Sequence, residues 1–324
     1  MVERKAVTCR NRFGWMALIC LFSLSIAGCS PLRPRAITSH ELILSQQLKD
    51  GSPQIQRGKP RKVIDVVGWV LGIPDKIILW NRRVENHNIS PETEGVIADY
   101  LAVNGLDTTR VRLNQYAPRD DWSRLVKNKK VGAGWRYTFG AGFTLWETLL
   151  PGRVFGGDHY NPYTDTIHLY SDVPGIAVHE AGHAKDWARR KWKGTYAAVY
   201  VLPGVPLYHE SIASGDALLF AQTYLSPREQ KEAINVLYPA YGTYAGSALG
   251  ELAPRYSNPI YYGSILVGHA VGRYKSRNII DSDARPVYGE YPSPEFYDVS
   301  PDAELGTRGS EAAVNSPSES LIIP

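Results

Sequence analysis

The chain has little cysteine. Its three cysteines, Cys9, Cys20 and Cys29, all fall within the first 29 of 324 residues. Among residues 30–324 no disulfide can form and no thiolate can bind a metal, so any ion held there needs His, Asp or Glu ligands. A charge surplus is also missing. The 36 basic and 32 acidic residues give +4, and removing residues 1–28 leaves 32 against 31, a net of +1. That balance excludes a basic nucleic-acid-binding domain, and no nucleic-acid fingerprint is present. Long apolar runs are lacking too. Residues 13–26 are apolar, but that run is shorter than the ~20 residues a spanning helix needs. What remains is a chain long enough to bury a core without cross-links.

The first feature that is present lies at the N-terminus. Arg4, Lys5, Arg10 and Arg12 precede the short apolar run, which ends in Ser25-Ile26-Ala27-Gly28-Cys29. A positive segment, a short apolar segment and small residues at its end read as an export signal. The small pair before a cysteine resembles the lipobox of bacterial lipoproteins. The resemblance implies cleavage after Gly28, a signal peptide of residues 1–28, and lipidation of Cys29, whose acyl chains hold the protein to a membrane. Ser30 after the cysteine implies the outer membrane of a Gram-negative cell envelope, facing the periplasm or the exterior. Residues 29–61, polar and punctuated by proline, read as a tether.

The richest segment is His179-Glu180-Ala181-Gly182-His183. Ser171, Asp172 and Pro174 before it read as a helix start. Ile176, Ala177, Ala181, Ala184 and Ala188 give helical spacing, and Arg189-Arg190-Lys191 suit a helix C-terminus. On that helix His179 and His183, four apart, share a face and can offer two imidazoles to one metal ion, with Glu180 beside it to take a proton from water. Gly182 costs about 1 kcal/mol relative to alanine in a helix. It suits either tight helix packing or a close approach at the site. Asp186, on a similar face to His183, either orients a ligand or pairs with Arg189 or Arg190. Residues 166–170 alternate polar and apolar and predict a strand, whose free edge would pair with an extended peptide.

A catalytic zinc takes a third protein ligand. His209 and Glu210 follow on a second helical pattern, with Ile212, Ala213, Ala217 and Phe220 on its buried side. Neighbours on a helix diverge by about 100°, so His209 and Glu210 cannot both face one ion. His269 is either a further ligand or a packing histidine. No histidine follows His183 before His209, unlike the metzincin pattern. Glu210, Ala213 and Ala217 after H-E-x-x-H resemble the gluzincin branch of zinc metallopeptidases, over roughly residues 164–220. That resemblance implies Zn²⁺ held by His179, His183 and Glu210, with Glu180 as general base. Ser214 stands where gluzincins carry an aspartate that supports a ligand histidine. Asp186, Asp216 or Ser214 itself would supply that support. A hydroxyl donor to the transition state is also implied. Tyr208, beside the ligand helix, is one candidate, and Tyr241 and Tyr244 are others.

The remaining pattern is coarse. Residues 92–103 predict an amphipathic helix, and 108–113 and 136–143 predict strands. Residues 63–80 predict a broken apolar helix lying on the domain or on a membrane. Residues 195–206 read as a linker or a membrane-interface element. Gly242, Gly246 and Gly250, with Gly268 and Gly272, predict two closely packed helices over 239–273 rather than a membrane-spanning pair. Residues 281–324 lose periodicity and read as a disordered tail. The expected fold is α+β: a zincin-like metallopeptidase domain over 62–280, with a small N-terminal sheet above the motif helix and a mostly helical C-terminal half. The expected function is a membrane-anchored zinc endopeptidase acting on a peptide or protein, with no nucleic-acid partner. The alternative is a non-catalytic metal-binding or structural envelope lipoprotein.

Overall fold

Four short strands and a larger set of helices make up the described chain. The computed structural model describes residues 47, 48 and 51–285; the segment expected to be an export signal, Cys29 and the residues beyond 285 lie outside them. In order the elements are β1 (Ile55–Arg57), α1 (Lys62–Leu71), α2 (Ile73–Leu79), α3 (Pro91–Val103), β2 (Arg110–Leu113), α4 (Pro118–Lys127), α5 (Ala141–Leu149), α6 (Gly152–Phe155), β3 (His159–Asn161), β4 (Thr166–Leu169), α7 (Pro174–Ala188), α8 (Lys193–Ala198), α9 (Val205–Tyr224), α10 (Pro227–Leu252) and α11 (Ser257–Ser276). The class is α+β, mostly helical, with one mixed sheet.

The sheet order is β1-β2-β4-β3, with β1, β2 and β4 parallel and β3 antiparallel. Strand alternation sends Val111, Leu113, Ile167 and Leu169 to one face, where they join Ile97, Tyr100 and Leu101 of α3 and Ala177, Val178, Ala181 and Ala184 of α7. The other face is polar yet also covered. Arg112 is fully buried there, donating to Asp121 at 2.9 Å and to Asp120 at 2.7 Å on α4. A buried guanidinium is tolerable because its donors are matched to these oxygens. Phe220 of α9 meets Tyr100 edge-on in the apolar layer, and burying a ring of that size contributes roughly 1.5–3 kcal/mol.

Several expectations change. Residues 136–143 are not a strand: Arg136–Gly140 form a π-helical turn that continues into α5. The two glycines lie on the polar side of the alternation, and buried Gly140 lies against Tyr163 and Leu125. The residues read as tether include β1, paired with β2 from Ile55 to Arg57. β4 is not an edge: it lies between β2 and β3, and β3 is the edge strand. Asp172 does not cap α7. It accepts from the Ser90 backbone and hydroxyl and from the Thr93 hydroxyl, and so closes the start of α3.

The glycine pattern over 239–273 does mark close helix packing. A Cβ on Gly242 would fall 2.6 Å from the Ser264 carbonyl oxygen, and one on Gly268 2.6 Å from that of Tyr238. No helix among the described residues is long and apolar enough to cross a membrane.

Candidate metal centre and its cavity

Two helices and one glycine bring the metal-type residues together. α7 carries His179, Glu180 and His183, and α9 carries Glu210 and Ser214. At their crossing, a Cβ on Gly182 would lie 3.1 Å from the Ala213 carbonyl oxygen and 3.2 Å from its Cα. Gly182 therefore lets α9 approach closely enough for Glu210 to reach the histidines. Close packing and proximity to the site are the same fact at this position.

The three side chains converge. His179 Nε2 stands 3.0 Å from Glu210 Oε2, His183 Nε2 is 3.2 Å from His179 Nε2, and His183 Nε2 is 3.4 Å from Glu210 Oε1. Tetrahedral N and O donors about 2.0–2.1 Å from a zinc ion stand roughly 3.3–3.4 Å apart. The observed distances, to Glu210 Oε2 from His179 and to Oε1 from His183, lie close to that spacing. The two imidazole planes are nearly perpendicular, at 87°, so both ring planes can contain one point outside the rings. Ser214 Oγ lies 3.3 Å from His179 Nδ1 and accepts its proton when Nε2 faces the ion. The serine thus occupies the supporting position itself.

Electrostatics ties the group together. Burial raises the Glu180 carboxyl, and the two histidines only partly offset it. Glu210 is also buried, but His183 and His179 hold it well below the ordinary carboxylate range. Burial opposes a charge on His183, yet the Glu210 carboxylate beside it moves the ring up to about 9. A metal taken up here at neutral pH must displace that proton.

The other expected supports lie elsewhere. Asp216 pairs with buried Lys185 and accepts from Tyr100, so it serves the α7–α9–α3 core and not the histidines. Asp186 accepts from Arg190 and from the Tyr196 hydroxyl. Tyr208 is half exposed, its hydroxyl 3.4 Å from Arg190, and it does not line the cavity. His209 faces the cavity without joining the triangle; it stacks on Tyr196, and burial lowers it to about 4. His269 is a packing residue, hydrogen-bonded to the Ile78 carbonyl at 2.8 Å and stacked on Trp80.

A cavity of about 260 Å³ opens beside Glu180, His183 and Glu210. Its walls include Phe139, Phe143, Tyr160 and Trp187. Residues read as a linker, Tyr196, Ala197, Tyr200 and Val201, form another wall. Tyr200 donates to Glu210 Oε1 at 2.8 Å, a support the sequence reading missed. Only a tyrosine ten residues before Glu210 hinted at it. Tyr244 also lines the cavity and hydrogen-bonds Tyr200; the Glu210 carboxylate, with burial, raises its hydroxyl. His159 and Tyr160 of edge strand β3 complete the lining.

A second group of the same composition lies next to the cavity: Glu147, His159 and His168. His159 Nε2 donates to Glu147 Oε1 at 2.6 Å and its Nδ1 donates to the Gly157 carbonyl at 2.9 Å. Glu147 Oε2 accepts from Asn161 at 2.7 Å. The two rings are stacked, 4.7 Å apart and 11° from parallel. Comparison with known protein families, with curated proteins and with solved structures finds no match for this chain.

Proposed function

We propose that the chain is a zinc metallopeptidase held at the bacterial cell envelope by a lipidated Cys29. The observation that carries this reading is the triangle of His179, His183 and Glu210, spaced at 3.0–3.4 Å, with Glu180 on the adjoining cavity wall. A zinc ion bound there would supply a Lewis acid that polarises a carbonyl and acidifies water. Glu180, raised by burial, is suited to take a proton from the attacking water and return it to the leaving amine. Ser214 fixes the tautomer of His179, and Tyr200 fixes the Glu210 carboxylate. Tyr244, which lines the cavity, replaces Tyr208 as the hydroxyl suited to the developing oxyanion. β3 has a neighbour only on its β4 side among the described strands, so an extended peptide can pair with its other edge.

The test uses purified chain loaded with zinc. Glu180→Gln should keep its zinc and lose at least about a hundredfold in the cleavage rate of an unfolded protein. Unchanged cleavage would remove Glu180 from the chemistry. Zinc binding by the wild-type chain without any hydrolysis would favour the non-catalytic lipoprotein instead.

A further inference from the structure

α1 is amphipathic in the reverse of the usual sense. At 100° per residue, Val63, Val66, Val67, Val70 and Leu71 share an arc of about 140°. That arc faces outward: Val63 is 79% exposed, and the others are 44–60% exposed. The side that packs on the protein carries Asp65 and Gly68. Asp65 pairs with Arg153 of α6 at 2.7 Å, and Gly68 sits against the Arg153 backbone and His87. Ile77 of α2 and the aromatic rings of Trp69 and Trp80 are also exposed. A helix in a water-soluble domain turns its apolar stripe inward. A contiguous outward stripe of this kind marks a surface that another apolar phase covers.

The occupant follows from three observations. The stripe is too short to span, since α1 has 10 residues and breaks at Gly72 before the 7 of α2, so it can only lie in an interfacial plane. Exposed Lys59, Arg61 and Lys62 cluster at its N-terminal end, the charge that anionic headgroups attract. Lys62 follows Cys29 by 33 residues, so the acyl anchor of the reading above keeps this helix near a bilayer at high effective concentration. We propose that α1 and α2 dock flat on an anionic lipid bilayer, with the valine stripe in the acyl boundary and the Lys59–Arg61–Lys62 cluster at the headgroups. The docking does not require the peptidase chemistry; it rests only on the lipid-anchor part of that reading. α1 sits on α6, which follows α5, whose Phe143 lines the cavity, so docking fixes how the cavity faces the membrane.

Residues 30–324 contain no cysteine, so a single introduced thiol can be labelled cleanly. Full chain is purified from membranes, and mass spectrometry first establishes the lipid on Cys29 and the single label. Val66→Cys, Val70→Cys and a control on the exposed Lys129→Cys each carry an environment-sensitive fluorophore, in vesicles of phosphatidylethanolamine and phosphatidylglycerol. The labels at 66 and 70 should be quenched by brominated acyl chains and shielded from aqueous iodide by about fivefold or more relative to Lys129→Cys. Equal iodide access at all three sites overturns the docking. Shielding from iodide without quenching by bromolipid also overturns it, and assigns the face to protein, a second copy of this chain. If Cys29 proves unlipidated, the labelling is repeated with Cys9, Cys20 and Cys29 changed to serine, and bromolipid quenching at 66 and 70 then removes the anchor and leaves the docking standing.

Discussion

Two groups of two histidines and a glutamate adjoin one cavity, and they differ in whether their ring planes converge. In the His179–His183–Glu210 group the rings stand at 87° and the facing atoms are evenly spaced at 3.0–3.4 Å. In the Glu147–His159–His168 group the rings are stacked at 11°. Lone pairs lie in the ring plane, so two stacked planes cannot aim both nitrogens at one ion. The spacing is uneven as well, 2.6 Å to His159 and 3.9 Å to His168. Both nitrogens of His159 already donate, to Glu147 and to Gly157. Composition is therefore a poor guide to a metal site, and ring orientation with free lone pairs is a better one. The helical i, i+4 step provides that orientation for the first group. The second is drawn from facing positions on antiparallel strands, His159 opposite His168, where rings stack naturally.

The sharpest way to break this comparison is to remove the glutamate from each group. Glu210→Ala takes away one corner and should lower zinc affinity by about a hundredfold or more, read by competition with a chromogenic chelator. Glu147→Ala should leave zinc affinity and the single-ion stoichiometry unchanged. Two zinc ions per wild-type chain, falling to one in Glu147→Ala, would erase the distinction. A smaller effect tests the support of the His179–His183–Glu210 group. Ser214→Ala removes the acceptor for His179 Nδ1 and should cost about tenfold in zinc affinity. Ser214→Asp, which restores a carboxylate there, should bind zinc at least as tightly as wild type. A weaker Ser214→Asp would show that the pocket has adapted to the smaller group.

The sequence made the metal group legible because its spacing is local. His179 and His183 depend only on helix period, and Glu210 on one further helix of plain apolar pattern. The elements that failed were those whose environment decides them. Residues 136–143 alternate like a strand, yet the rings of that alternation, Tyr137, Phe139 and Phe143, are not buried on a sheet, and the chain closes into a π-turn and α5 instead. β4 was legible as a strand but not as an inner one, because the three-residue β3 beside it is too short for a periodic signal. Asp172 looked like the cap of α7 and serves α3, a partner 79 residues away that no local rule can find. Tyr208 was chosen for its nearness in sequence to Glu210. Two residues apart on a helix, Tyr208 points about 200° away from Glu210, and the hydroxyl that reaches Glu210 comes from Tyr200, outside α9.

The gentlest test of the comparison concerns charge rather than metal. In the second group burial opposes a proton on His159, but the hydrogen bond and charge of Glu147 win and move the ring up to about 9. Its stacked neighbour His168 is driven well below the ordinary imidazole value, first by burial and then by the charge on His159. The pair is one imidazolium over one neutral ring. A histidine whose folded value lies above its unfolded one adds stability that is fully present below about pH 6.5 and is lost as pH rises through about 9. His168 acts with the opposite sign, since its neutral form is favoured in the fold. Its contribution is therefore present above about pH 6.5 and fades below that. Between pH 7 and 10 the His159 contribution falls, together with that of His183, which the Glu210 carboxylate also moves up to about 9. Chemical denaturation of the metal-free chain over that window should show a decline in stability in wild type. Glu147→Gln keeps the side-chain shape but removes the charge, so it should make the decline shallower by the His159 share, leaving that of His183, and bring the His159 titration in NMR down toward neutrality. A His159 signal that titrates near 9 in Glu147→Gln would mean that Glu147 is not what holds the proton, and the contrast between an ion-pair cluster and a metal cluster would lose its physical basis.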